Sequence, residues 1–355
     1  MRFFVEKMDP KVFLERRERL ADVLERQKLD AYFFNGVSDL YYLTGFHSEG
    51  YFGLATKKGL WLFLSALLSG QARENTSGCR LVVGKRLSVE IESLMKKHAF
   101  KRVGFDAEQL IYRLGDVLRQ KGLRPAANPL EELRAVKDEA EVALMRRAGR
   151  ITAAGLDHVR ERVRVGQTET QLAKAIADQF YRRGAGGMGF DLIAAVGPNT
   201  ALPHHIPGEA RVTRATAVLF DVGCRVGAYR SDLTRSFYYG KIPPSYKKVY
   251  DIVAAAQRAG IAAVFPGSTG GRVDAATRGT IARAGYGRYF IHSTGHGVGI
   301  DIHEPPWNRP KSPDVYKNNM VLTVEPGVYL PGRFGVRIED TLRVVPSGNE
   351  ILTKV

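Results

Sequence analysis

Two cysteines in 355 residues, Cys79 and Cys224, are too few for a disulfide framework, and this usage fits a reducing compartment. Long apolar runs are also missing. The most apolar stretch, Leu60–Leu68, follows Lys57-Lys58 and spans nine residues, where a bilayer crossing needs roughly 20. Met1–Lys11 has no apolar core followed by a small-residue cleavage site, so no signal peptide is expected. These absences predict a soluble protein of the cytoplasm with no membrane partner. Solenoid repeats and low-complexity tracts are absent as well. Acidic residues are outnumbered, 37 against 53 Lys and Arg, giving a net charge of +16. Such a balance raises the question of nucleic acid. The basic residues, however, are dispersed over Glu15–Lys28 and Glu141–Arg164 among acidic ones, with no dense basic block and no RNA-binding aromatic signature. A solvated basic surface is expected, and no nucleic-acid partner.

A hydrophobic content of 44% over this length suffices for two cores. Asp9-Pro10 marks the start of a helix over Lys11–Gln27. Ala31–Phe34 reads as a buried strand, and Tyr51–Thr56 with Leu60–Ser65 as a hairpin. Leu81–Val83, the helix Val89–His98, the strand Arg102–Phe105 and the helix Ala107–Lys121 continue the alternation. The pattern predicts an α/β domain of about 130 residues, with no phosphate loop and no chemistry-bearing cluster. A boundary falls near Pro129–Asp138, and we divide the chain into residues 1–132 and 133–355. The second part opens with helices over Glu139–Arg162 and Glu169–Arg183; later helices cover Ser245–Phe265 and Arg272–Ala284, among strands. Two helix pairs and two carboxylate-bearing hairpins suggest two similar halves with a site between them.

Those hairpins hold the chemistry. Asp221 and Asp232 are centred within Cys224–Ala228, between segments that read as strands. A turn at Val226-Gly227 would set the two aspartates directly opposite each other, where like charges repel unless a cation lies between them. Glu325 and Glu339 are centred in the same way on Gly332, inside Pro331–Gly335. His296 stands in a run that also holds His292 and His303, with Gly295, Gly297 and Gly299 leaving room for another group to approach. Four carboxylates and an imidazole offer oxygen and nitrogen donors for divalent ions. Ser231 and Thr234 could orient Asp232 as supporting hydroxyls. Arg337 lies two residues from Glu339 on one strand face, either as its ion-pair partner or as an outer support of a metal-binding carboxylate.

With these residues in place the chain resembles the creatinase/prolidase/methionine aminopeptidase family, most of all its Xaa-Pro aminopeptidase and Xaa-Pro dipeptidase members. The matching runs are Asp221-Val-Gly with Asp232-Leu-Thr-Arg, His292-Ser-Thr-Gly-His-Gly-Val-Gly, His303-Glu-Pro-Pro, Thr323-Val-Glu-Pro-Gly and Gly335-Val-Arg-Ile-Glu-Asp. Weaker similarity extends through Leu133–Asp138 and Gly197–His204. The resemblance implies an amino-terminal creatinase-like α/β domain followed by a pita-bread catalytic domain of mixed α and β structure. It implies two divalent ions, most often Mn2+ and in relatives Co2+ or Zn2+, with Asp221 on one ion, Asp232 and Glu339 bridging, and His296 and Glu325 completing the set. A homodimer is implied too.

The implied reaction is hydrolysis of the bond before proline by a metal-bridged hydroxide. Glu325 would carry the proton, and His303, with His204 nearby, would face the oxyanion. His292 and Arg337 are further substrate-binding candidates, while His205 reads as a mere neighbour of His204. Dipeptidases of the family often carry an arginine just after the His-Glu-x-Pro run. Here that position is Trp307 and the nearest arginine is Arg309. The expectation is therefore an aminopeptidase acting on peptides with proline second, with a dipeptidase as the alternative. A different class, an inactive pita-bread binding module, is set aside because all five ligand positions are filled.

Overall fold

A computed structural model describes residues 8–84 and 86–354. The chain divides between Arg134 and Ala135 into two compact units. In the first, Asp9 caps the helix Pro10–Arg26 by accepting from the Lys11 amide at 2.9 Å, and Phe13, Leu20, Val23 and Leu24 form its buried stripe. A six-stranded mixed sheet runs in the order Cys79–Val83, Gly59–Leu64, Phe52–Thr56, Ala31–Phe34, Val103–Phe105, Arg124–Pro125. Ala31–Phe34 is buried at every position, as a strand covered on both faces should be.

Two expectations for this unit fail locally. The helix expected over Ala107–Lys121 begins only at Tyr112, because the Asp106 carboxylate accepts from the amides of Glu108 (2.9 Å) and Gln109 (3.2 Å) and holds a turn there. A helix over Val37–Thr44 was not anticipated; its aromatic and β-branched sequence has low intrinsic propensity. Tertiary contacts support it. Asp39 in its first turn is fully buried and accepts from Arg134 Nη1 at 2.7 Å.

In the second unit, capping boxes start both opening helices: Asp138 with Glu141 for Glu139–Arg160, and Thr168 with Gln171 for Glu169–Arg182. Pro244–Ala262 and Gly270–Arg283 form the later pair. Their apolar faces, with Val249, Val253 and Ile281, pack on Val328, Leu330 and Val336 from the hairpin Gly327–Leu330/Phe334–Arg337. Thr216–Val222 is the middle strand of an antiparallel sheet between Ile193–Val196 and Leu233–Tyr239. A five-stranded sheet orders Glu304–Asn308, Gly295–Gly297, Val321–Val324, Asp340–Val345 and Gly348–Ile351.

The two carboxylate hairpins differ in register from each other. Gly327 pairs with Arg337 and Val324 with Asp340, so the ladders on either side of Glu325 and Glu339 share the expected centre at Gly332. The aspartate hairpin turns one position later than expected, at Gly227-Ala228, since Val226 pairs with Tyr229 and Asp221 with Thr234. Gly227 takes the left-handed φ of 58° that such a tight turn requires. Asp232 is therefore a diagonal, not a direct, neighbour of Asp221. A shift of two in pairing keeps both side chains on one face.

A buried ion pair secures the segment that carries His303. Lys137 Nζ donates to Glu304 Oε1 at 2.9 Å with both side chains almost wholly covered. Lys137→Met should lower the stability of this unit by about 3–5 kcal/mol, because Glu304 is left charged and buried. Urea unfolding followed by tryptophan fluorescence checks this; an unchanged midpoint would show that the pair is dispensable.

Candidate metal centre

All nine residues singled out by sequence line one cavity of about 510 Å³: Asp221, Asp232, His296, Glu325, Glu339, His204, His292, His303 and Arg337. Asp221 and His296 lie in strands, and Asp232, Glu325 and Glu339 stand directly beside strand ends. Asp221 is the penultimate residue of the central strand of its sheet, and the Thr341 hydroxyl fixes the Asp232 backbone by donating to its carbonyl at 2.7 Å. His296 lies in Gly295–Gly297, where a Cβ on Gly295 would sit 2.1 Å from the Thr323 carbonyl oxygen. The glycines flanking His296 thus admit neighbouring backbone, not an open approach for a ligand as expected. Glu339 follows Arg337 after the hairpin, and its amide donates to the Thr234 carbonyl at 3.1 Å.

Single ligand atoms of Asp232, His296 and Glu339 lie within 4.8 Å of one another. His296 Nε2 is 3.3 Å from Glu325 Oε1 and 3.7 Å from Asp232 Oδ2, while its Nδ1 faces the Gly297 carbonyl at 3.1 Å. That second contact aims Nε2 at the carboxylates. Two buried oxygens, Asp221 Oδ1 and Glu339 Oε1, have no hydrogen-bond partner among the described residues. Orphaned carboxylate oxygens inside a set of hard donors fit a divalent cation.

The electrostatics point the same way. Burial and the Asp221 charge push Asp232 well above the ordinary carboxylate range. Burial, together with Asp232 and Glu325, does the same to Glu339. Burial disfavours charge on Glu325 also, yet its hydrogen bond from His296 wins and holds it at about 2. The same bond outweighs burial at His296 and lifts it to about 9. Without a cation, the imidazolium is thus the local counter-charge; metal binding would displace its proton.

Several roles differ from expectation. Arg337 is not paired with Glu339: its Nη2 donates to Asp221 Oδ2 at 2.5 Å, Nη1 to Tyr329 Oη at 2.8 Å and Nε to Thr234 Oγ1 at 3.2 Å. The expected supporting hydroxyls of Asp232 serve others. Thr234 donates to Glu339 Oε2 at 2.6 Å, and Ser231 Oγ shares a hydrogen bond with Thr152 Oγ1 at 2.6 Å. Both nitrogens of His292 are engaged, Nδ1 with the Ser293 carbonyl at 2.7 Å and Nε2 with Tyr329 Oη at 2.8 Å. It presents its ring to the cavity, not a free nitrogen. Tyr329 escaped the sequence reading, since an apolar-looking strand residue gives no sign that its hydroxyl joins Arg337 to His292. His204 and His303 are exposed at the cavity, and the His303 ring packs edge-on against His296 at 4.3 Å. His205 turns to Glu169 instead, 2.7 Å away.

A mixed α/β unit that converges four carboxylates and a histidine in one cleft defines a metal-dependent hydrolase. The chain belongs to metallopeptidase family M24, whose model matches residues 143–346, and its residues 16–136 match the creatinase/prolidase N-terminal domain. The pita-bread fold and the peptidase class expected from the motifs follow from that membership. An Xaa-Pro dipeptidase of Pyrococcus furiosus is 30% identical over 96% of this chain and 98% of its own. The solved Xaa-Pro dipeptidase of Bacillus anthracis superposes with a TM-score of 0.92 at 31% identity, covering 97% of this chain and 98% of that one. An X-Pro aminopeptidase of Thermotoga maritima gives a TM-score of 0.87 at 28% identity, covering 96% and 97%.

The raised pKa of Asp232 predicts two opposite effects of Asp232→Asn. An acid whose folded pKa lies above its unfolded value contributes no cost at low pH and destabilises progressively as pH rises past the unfolded value. At pH 8 the metal-free variant should be more stable than the metal-free parent. Added Mn2+ should raise the parent's thermal midpoint but not the variant's. A metal-free variant of lower stability that still responds to Mn2+ would contradict this assignment.

Proposed function

We propose that this chain is a dinuclear-metal-dependent Xaa-Pro dipeptidase. The two partnerless buried oxygens, Asp221 Oδ1 and Glu339 Oε1, within one cluster of donors carry the metal part of this reading. Asp221 would serve one ion, Asp232 and Glu339 both, with His296 and Glu325 completing the set; Mn2+ is the first ion to test. Bound there, two divalent ions supply Lewis acidity and a nucleophilic water at neutral pH. Glu325, which lines the cavity beside the other donors, would accept the water's proton and return it to the proline nitrogen as the peptide C–N bond breaks. His303 and His204, exposed to the cavity, suit the substrate carbonyl oxygen as it gains charge. Arg337 and His292 are better suited to holding Asp221 and Tyr329 in place than to touching substrate first.

The dipeptidase reading replaces the aminopeptidase expectation because the Pyrococcus and Bacillus relatives are described as Xaa-Pro dipeptidases. The Thermotoga structure is described as an aminopeptidase, which keeps that second reading in play. Position 307 is not the end of the matter. Trp307 lines the cavity; Arg309 is not part of that lining, but its guanidinium stands 5.9 Å from the Trp307 ring centre, and it is the cation we propose for a free carboxylate. The reading extends to a cytoplasmic homodimer, the former supported by two free cysteines.

Turnover of Xaa-Pro and Xaa-Pro-Yaa peptides with Mn2+, and after chelation, tests the proposal. Cleavage should require metal and favour the dipeptide at least tenfold in kcat/KM. Arg309→Ala should raise KM for the dipeptide and leave the tripeptide nearly unaffected. Faster tripeptide cleavage would restore the aminopeptidase reading, and metal-independent turnover would remove the mechanism.

A further inference from the structure

Glu169 is the first residue of the helix Glu169–Arg182 and is completely buried. It lines no part of the cavity, yet four donors converge on its carboxylate. Oε1 accepts from the Val196 amide at 2.8 Å and from Asn199 Nδ2 at 2.9 Å; Oε2 accepts from the His205 ring at 2.7 Å and from the Gly208 amide at 3.0 Å. The first two donors lie where the segment 197–208 leaves the strand Ile193–Val196; the other two lie where it returns. Between these feet sit Pro203 and His204, both lining the cavity. The return foot is held by main chain too, with the Thr170 amide donating to the Gly208 carbonyl at 3.1 Å and the Glu169 amide to that of Ala210 at 3.1 Å.

We infer that Glu169 is a positioning residue, acting through His205 and the two loop feet to place His204 against the substrate. The inference rests on the peptidase reading of His204 given above. A carboxylate is an acceptor at both oxygens, so it alone among isosteric side chains satisfies all four donors. At the first turn of a helix its charge is also favoured by the helix dipole. Gln keeps the shape but turns an NH2 toward one pair of donors. The loop is tied on its far side as well: the Gly335 amide donates to the Thr200 hydroxyl at 2.9 Å and Arg337 Nη1 to the Pro203 carbonyl at 3.4 Å. Losing the Glu169 contacts should therefore tilt the loop without unfolding it. A displacement of about 1 Å at a reacting group can cost on the order of 100-fold in rate.

The test is a double-mutant cycle on the Mn2+-loaded protein, with thermal midpoint and kcat/KM measured for each form. Glu169→Gln should lower kcat/KM 10- to 100-fold at unchanged metal content. In a His204→Ala background the same change should cost less than twofold, while its effect on the thermal midpoint stays the same in both backgrounds. His205→Gln, which keeps a donor toward Oε2, should stay within a few-fold of the parent, and His205→Phe should approach the Glu169→Gln loss. These two variants decide the matter if Glu169→Gln does not fold. An impaired His204→Ala onto which Glu169→Gln adds its full loss would overturn the positioning role alone. A fully active His204→Ala would overturn it together with the assignment of His204 to catalysis.

Discussion

The four clustered carboxylates of the cleft have between them ion-pair contacts with one arginine, Arg337, and one histidine, His296, and most of the local structure answers that imbalance of charge. Arg337 is committed to Asp221, and His296 stands between Glu325 and Asp232. Among the described residues the Glu339 carboxylate has no ion-pair partner and accepts a hydrogen bond from the Thr234 hydroxyl alone. Like charges packed this closely in a medium of low dielectric cannot all stay ionised. The protein alone settles the conflict by raising the proton affinity of Asp232 and Glu339, the two carboxylates with least help from bases. Divalent cations settle it without protons. Relief of repulsion already present in the folded chain would favour a divalent cation at such a site.

Holding such a cluster together requires rigid supports, and the fold supplies them from antiparallel ladders. Asp221 stands opposite Thr234, and the hydroxyl of that same threonine reaches Glu339 while accepting from Arg337. One small side chain thereby links the aspartate strand to the glutamate strand. Arg337 continues the chain of contacts to Tyr329 and so to His292. A network of this kind is fixed only when each member is satisfied, since one missing partner leaves a buried polar group exposed to its full desolvation cost.

Much of this was legible in the residue order because spacing within a hairpin is geometry. The pairing of Glu325 with Glu339 about Gly332 holds in both flanking ladders. The aspartate hairpin kept its face and lost its register, because nothing in Cys224–Ala228 says whether the tight turn closes on Val226-Gly227 or one position later. The nine residues expected at the site do share one cavity. Their partners were harder to read, since Arg337 could reach either acid by length alone and only the packed strands chose Asp221. Tyr329 and Glu169 carried no signal at all, as a tyrosine in a strand and a glutamate at a helix start are both ordinary. The short helix Val37–Thr44 was lost for a related reason: a buried Asp39–Arg134 contact supports it against its own propensity.

The five donor residues and the cavity histidines are supported by different means. The former sit in or beside strands, where ladders on both sides fix them. His204, His292 and His303 lie outside strands, and loops are free to move unless something holds their ends. Each of the three segments is tied to a buried acid away from the donor cluster. Glu169 gathers the feet of the His204 loop. Asp274 accepts from Thr294 at 2.8 Å and from Arg278, which in turn donates to the His292 carbonyl at 2.9 Å. Glu304, adjacent to His303, is held by Lys137. A buried carboxylate saturated with donors is a strong, directional anchor, and it costs stability when a donor is lost. Three such anchors around one cavity concentrate that risk where loop position matters most, since a displacement of about 1 Å at a cavity side chain is enough to spoil its alignment with a bound group.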